Sequence, residues 1–410
     1  MRRRWLFAPA ARPTRHFLCE NQGLHTQSNF RLLVVRLGAM GDILHALPAV
    51  TALRRAHPAW HIGWIVEPRW MPLLYAGNQG TSRLCEQRSL AGEHGGEQGN
   101  ENVAAISFSE PSVRGPGMPI VDQLHFAPTR EWKRRPLRGK TASGIRALAG
   151  ELRAANYDAV LDLQGAIRSA AIGRLSGCSR RIGDSRPREW PAHWLFSERV
   201  VTRCAHGVER AVELVSAVAG DTLCATEPLL PLDPEAETWC ESFLAEAAPP
   251  ASARPIALLT PGAGWGAKRW PPERYRAVAQ GLKQRGFSVL VNAGPGEEPL
   301  AAAITDGDAA IALSATLRQL IALTRRIALC IGGDTGPLHL ACALGRPVVG
   351  IYGPTDPSRN GPYGTHARVL RCPASRTDHS RRAAPDPGLL TIAPEDVLRA
   401  ADELLAEVRA

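Results

Sequence analysis

Residues 327–357 read as a strand, a glycine turn, a helix and a second strand. The apolar run Ile327 to Ile331 ends in Gly332-Gly333, and Asp334 and Thr335 open a short helix that stops at Gly345. A second apolar run, Pro347 to Ile351, breaks on Gly353-Pro354. In such a parallel unit the first turn lies at the carboxyl edge of a sheet. Free backbone N–H groups around Thr335, Gly336 and His339, with the helix dipole behind them, suit an anion. The expectation is a diphosphate cradle for a nucleotide sugar. The plainer alternative is that Asp334 or Thr335 only caps a core helix.

The same order opens the ordered part of the chain. Arg31-Leu-Leu-Val-Val-Arg-Leu is a buried strand by its continuous apolar run, Gly38-Ala39-Met40-Gly41-Asp42 a turn, Ile43 to Arg55 a helix, and His61 to Glu67 the next strand. The turn lacks the G-x-G-x-x-G spacing of a dinucleotide fingerprint and the G-K-[ST] ending of a P-loop, so neither NAD nor a Walker-type nucleotide is expected. The second half alternates likewise: strand Ile256–Thr260, helix Pro272–Arg285, strand Phe287–Asn292, helix 297–304, strand 309–313 and helix 316–325. This is an α/β pattern, and two Rossmann-like, doubly wound parallel-sheet domains facing a cleft is the economical inference.

At 410 residues and 44% hydrophobic, the chain is long enough for two such cores. Residues 1–29 are expected to be a disordered leader, 30–247 the first domain and 248–410 the second, with the proline-rich stretch Ala247–Pro255 as hinge. Residues 77–118, rich in Gly, Glu, Gln, Asn and Ser, read as a flexible insertion. The amphipathic last helix, Pro394 to Val408, is a candidate to pack back on the first domain. The net charge of +10 points to an acidic partner, and arginine supplies nearly all of it, since only Lys133, Lys140, Lys268 and Lys283 are lysines. Nucleic acid is disfavoured, because the basic residues carry no repeated aromatic interleaving. The nine cysteines show no pairing or metal spacing, and Cys330 and Cys342 sit in apolar stretches, which fits a reducing cytoplasm. No apolar run reaches the ~18 residues of a membrane span.

In such folds ligands gather beyond the carboxyl ends of the strands. Asp42 at a helix start could act as general base or merely as an N-terminal cap. Lys268, in a glycine-rich turn before Pro271-Pro272, could hold a diphosphate or be a solvated loop lysine; Thr260 and Gly262 would let the backbone approach. Glu297 could accept ribose hydroxyls or complement the next helix dipole. Asp306-Gly-Asp308 precedes a strand, which places it at the amino edge, so it reads as a turn rather than a metal site. His339 and His45 read first as packed helix residues. The basic stretches 130–138, with Trp132 inside, and 180–188 could grip carboxylates or phosphates, or be solvated loops. No cluster has metal-ligand spacing, and no cofactor is expected.

These residues resemble glycosyltransferase family 9, the ADP-heptose:lipopolysaccharide heptosyltransferases. The resemblance rests on Arg36-Leu-Gly-Ala-Met-Gly-Asp-Ile-Leu-His-Ala-Leu-Pro48, Asp162-Leu-Gln-Gly165, Lys268-Arg-Trp-Pro271, Gly294-Pro-Gly-Glu297, Gly333-Asp-Thr-Gly-Pro-Leu-His339 and Tyr352-Gly-Pro-Thr-Asp356. It covers about residues 31–372 apart from the insertion. Arg130-Glu-Trp-Lys133, Gln164-Gly-Ala-Ile-Arg168 and His206-Gly-Val-Glu-Arg210 are most similar to the branch that adds the first heptose to Kdo. The resemblance implies a GT-B fold and an inverting, metal-independent transfer from ADP-L-glycero-D-manno-heptose to Kdo-lipid A. It also implies a monomer in the cytoplasm, peripherally associated with the inner membrane. It makes Asp42 the catalytic base and Lys268 the donor-phosphate lysine. Glu297 becomes the ribose-side acid, and Asp334, Thr335, Gly336 and His339 the donor loop. Arg130, Lys133, Arg188 and Gln164 fall on the acceptor side.

Overall fold

A computed structural model describes residues 29–76, 106–107, 120–247, 254–378 and 380–409. The leader, nearly all of the 77–118 insertion and the centre of the 247–255 hinge lie outside the described residues. The chain divides into two compact units, one ending at Pro231 and one beginning at Leu232.

The N-terminal unit is built from β1 (Arg31–Val35), α1 (Met40–Ala56), β2 (His61–Val66), β3 (Ile106–Ser107), β4 (Gln123–Phe126), α2 (Thr129–Arg134), α3 (Gly139–Ala154), β5 (Ala159–Asp162), α4 (Ile167–Arg174), β6 (Arg181–Asp184), β7 (Glu198–Val200) and α5 (Gly207–Ala219). Its sheet runs β3-β4-β2-β1-β5-β6-β7, parallel except for the short β3–β4 pair. Leu33, Val35, Ile65, Leu152 and Val160 fill one side of it, and α1 packs along α5. After their first residues, Arg31 and His61, the strands β1 and β2 are apolar and buried because both faces are covered, as parallel sheets require.

The C-terminal unit contains α6 (Pro234–Ala247), β8 (Ile256–Thr260), α7 (Pro272–Gln284), β9 (Ser288–Asn292), α8 (Glu298–Thr305), β10 (Ile311–Leu313), α9 (Leu317–Thr324), β11 (Leu329–Gly333), α10 (Gly336–Ala343), β12 (Val348–Tyr352), α11 (Pro357–Asn360), β13 (Ala367–Arg371) and α12 (Pro394–Arg409). All six strands are parallel, in the order β10-β9-β8-β11-β12-β13. Asp306-Gly-Asp308 is the expected turn, with Gly307 and Asp308 both at positive φ.

Two expectations change. The second unit starts at Leu232, not at 248, because α6 belongs to it: α6 packs on α9, with Asp233 paired to Arg318 and Glu237 to Arg325 and Arg326. The last helix, α12, buries Val397, Ala400, Ala401 and Leu404 in the core of its own unit, against α7 and β13.

Candidate functional site

In each sheet the strand order reverses once, and a crevice opens at the carboxyl ends of the two central strands there. In the N-terminal unit those strands are β1 and β5; in the C-terminal unit they are β8 and β11. The turns at these four strand ends carry Asp42, Gln164, Lys268 and Asp334.

After β1 the chain needs Gly38. Its φ is +145°, and a Cβ there would lie 2.6 Å from the Trp70 indole nitrogen. Asp42 sits in the first turn of α1, where its Oδ2 accepts from the Ala39 N–H at 3.1 Å. Its Oδ1 pairs with the Arg36 guanidinium at 3.2 Å. Arg36 also donates to the Asp42 carbonyl and, across the crevice, to the Leu163 carbonyl at the end of β5. Capping and a chemical role are therefore compatible: the carboxylate is held in place and remains partly exposed.

Gln164 is buried, and its Oε1 accepts from the Leu37 N–H at 2.8 Å, tying the β5 turn to the β1 turn. It positions the loop that carries Asp42. Beneath it the buried Asp162 accepts from the N–H groups of Gln164 and Gly165 and from the Ser169 hydroxyl at 2.7–2.8 Å. Burial pushes its carboxyl up to about 6 despite those donors.

Arg130 and Lys133 are exposed on α2, and Arg188 is exposed after β6, 4.0 Å from Glu189. Sequence reasoning passed over Arg69. Burial, with the like charge of Arg130 next to it, lowers its guanidinium to about 10, and its Nε is buried with no hydrogen-bond partner. It lies over the Trp70 ring, 4.4 Å from the centroid. Glu67 Oε2 lies 3.8 Å from that Nε and offsets part of its charge, while Arg130 and the unpartnered indole N–H beside Gly38 leave donors over for an acidic ligand. The signal for Arg69 was the Arg69-Trp70 pair at a strand end.

In the C-terminal unit Lys268, Asp334 and His339 come together. The Lys268 ammonium meets Asp334 Oδ2 at 2.5 Å and donates to the Asp334 carbonyl at 3.2 Å, while His339 Nε2 lies 2.9 Å from Oδ1. The side chains of Lys268 and Asp334 are only 12% and 7% exposed. Burial alone would raise the Asp334 carboxyl, but His339 and Lys268 hold it far below the usual carboxylate range. Lys268 is thus neither a solvated loop lysine nor a loose cation. It is fixed, and it also lies 4.3 Å from the centre of the Trp265 ring. Thr335 is the N-terminal cap residue of α10 and Gly336 its first residue, so the first N–H groups of that helix open at the same edge.

Glu297 and Gly262 form a second contact at this edge. The Glu297 carboxylate accepts from the Gly294 N–H at 2.9 Å, and a Cβ on Gly262 would fall 2.1–2.5 Å from its oxygens and carboxyl carbon. While the Glu297 carboxylate stays there, only glycine fits at 262. Gly262→Ala is expected to expel the Glu297 carboxylate from this position, at a cost of roughly 1–3 kcal/mol if the loop cannot yield; urea melts against titration with ADP separate lost stability from lost binding. Thr260 is buried, its hydroxyl packed where a Cβ on Gly332 would fall, so it shapes the sheet edge from below.

The segment after β13 is also part of this edge. Ala267 donates to the Arg382 carbonyl and accepts from the Asp386 N–H, at 3.0 and 3.1 Å, and a Cβ on Gly266 would overlap the Ala383 carbonyl. The turn carrying Lys268 is therefore strapped by residues 382–386, which the sequence pattern did not reveal. Among the described residues no group of three or more His, Cys, Asp and Glu side chains could hold a metal ion.

A family model described as Glycosyltransferase family 9 (heptosyltransferase) matches residues 145–386. Lipopolysaccharide heptosyltransferase 1 of Escherichia coli K12 is 27% identical over 349 residues, covering 84% of this chain and 94% of that protein. The enzyme of the same name from Pseudomonas aeruginosa is 28% identical over 343 residues, covering 82% and 81%. Among solved structures, the E. coli heptosyltransferase WaaC with ADP is similar with a TM-score of 0.66 at 24% identity, covering 92% of this chain and all of that one.

Proposed function

Because this chain belongs to glycosyltransferase family 9, the heptosyltransferases, we propose that it moves L-glycero-D-manno-heptose from ADP-heptose to a Kdo residue of Kdo-lipid A. The coarser part, a heptosyltransferase of lipopolysaccharide core synthesis with the GT-B fold, follows from the family, its relatives and the two doubly wound sheets. The observation that carries the donor half is the buried Lys268–Asp334–His339 group beside the first turn of α10. A fixed ammonium and free helix N–H groups at a topological switch point are what a departing diphosphate needs.

In the proposed reaction the acceptor hydroxyl attacks the anomeric carbon of the heptose. The new carbon–oxygen bond forms as the bond to phosphate breaks, and the electron pair leaves with ADP against Lys268 and the α10 amides. Asp42 takes the hydroxyl proton, and configuration inverts. The transfer needs no metal in this scheme, and Glu297, fixed by Gly294, takes the ribose side of the donor. Arg69 and Arg130, with Lys133 and Arg188, meet the acidic groups of the acceptor.

The setting proposed is the cytoplasmic face of the inner membrane, with a monomer acting on a lipid-anchored acceptor. No described helix is long and apolar enough to cross a membrane. Incubating the full chain with ADP-heptose and Kdo-lipid A should release ADP and add one heptose mass to the acceptor. Transfer only to an acceptor already carrying a heptose would make it a heptosyltransferase 2. ADP-heptose binding with no transfer to either acceptor would make it an idle sugar-nucleotide-binding protein.

A further inference from the structure

The segment after β6 presents an unusual surface. Trp190 and Trp194, in a short 3₁₀ helix over Trp190–Leu195, are 57% and 69% exposed, and Ile167 at the start of α4 is 43% exposed. They belong to one patch: the Ile167 N–H donates to Glu189 at 2.9 Å, Trp190 stacks on His193 at 4.7 Å, and Ala192 and Phe196 pack beneath against Ala170 of α4. The patch is cationic. Arg168, Arg186 and Arg199 are exposed around it, and none has a carboxylate partner among the described residues; Arg199 donates to the His193 carbonyl at 3.0 Å. It is also joined to the crevice of Asp42, because the Glu189 N–H donates to the Gly165 carbonyl at 2.8 Å, next to Gln164.

We propose that the Trp190–Leu195 turn, with Ile167 and the arginines around it, docks this chain on an anionic lipid bilayer. Indole rings prefer the boundary between headgroups and acyl chains, where the ring is buried and its N–H stays wet. Each arginine near an anionic leaflet adds to the affinity, an attraction that salt screens. The choice of lipid over a protein partner rests on the function proposed above, since a lipid-anchored acceptor brings a bilayer to the Asp42 crevice.

The test mixes the full chain with phosphatidylcholine vesicles, or with vesicles holding equal parts of phosphatidylcholine and phosphatidylglycerol, and measures flotation. The wild type is expected to float with the anionic vesicles and to be released by high salt. Trp190→Ala/Trp194→Ala is expected to weaken that binding by about tenfold or more, with Trp190→Tyr/Trp194→Tyr restoring part of it. Both side chains are exposed, so thermal melts should match wild type. Wild-type protein that ignores anionic vesicles, or a double alanine variant that floats as well as wild type, overturns the proposal. So does a wild type that is dimeric and becomes monomeric on the double substitution without vesicle binding, which would make the patch a contact between copies. Vesicle binding needs no transfer activity, so the proposed reaction can fail while this result stands.

Discussion

Replacing Asp42 with asparagine is expected to slow heptose transfer by about 10²- to 10⁴-fold, the usual cost of losing a general base, while ADP binding stays near wild type. Asparagine is the informative choice. Its side-chain oxygen can still accept from the Ala39 N–H, so the start of α1 keeps that contact, whereas Asp42→Ala, at the third helical position, also forfeits it. The amide cannot take a proton from the acceptor. Single-turnover rates with both variants, beside thermal melts, separate the two roles. Normal turnover in Asp42→Asn would reduce Asp42 to a cap and an ion-pair partner of Arg36. A loss of rate matched by a loss of stability would say the same.

The turns that carry the candidate residues were legible in the sequence because they lie where apolar strands end in glycine. The turns after β1, β8 and β11 are conspicuous: a polar residue at the end of a continuous apolar run has little reason to be there unless it caps or binds. Element boundaries in both halves fell within a few residues of the observed ones for the same reason. What the pattern could not supply was partnership. Lys268 and Asp334 are 66 positions apart in the chain, and only the pairing of β8 with β11 brings them together. The same holds for Gln164 and Leu37, joined through β1 and β5. Arg69 escaped notice because its importance is mainly environmental: burial and Arg130 set it apart, and the adjacent Trp70 is its one local signal. The helix α6 escaped because its anchor is three arginines on α9 and the turn after it, and ion pairs leave no periodic trace. The strap over 382–386 escaped for a related reason, since it is held by backbone hydrogen bonds, and its one side-chain requirement, the absent Cβ of Gly266, leaves no pattern.

The pairing of Lys268 with Asp334 leads to the second large effect. Asp334→Ala leaves an ammonium only 12% exposed with no carboxylate beside it, and breaking a buried pair from one side typically costs about 3–5 kcal/mol. The pH dependence has a definite sign. The folded-state pKa of Asp334 lies below its unfolded value of about 3.9. Its contribution is therefore fully present above that unfolded value and is lost as pH falls through the folded one. The stability gap between wild type and Asp334→Ala, read from urea melts, should be largest near neutrality and should narrow as pH drops below about 4. A gap that stays constant in acid would mean that the charge of Asp334 does not stabilise the fold. Lys268→Met/Asp334→Leu goes further, since apolar replacement of a buried pair is often neutral or better. That double variant is expected to recover most of the lost stability and yet to bind ADP far more weakly than wild type, because the fixed cation is gone. A double variant that folds and binds ADP as tightly as wild type would remove Lys268 from the donor site and leave the pair a purely structural one.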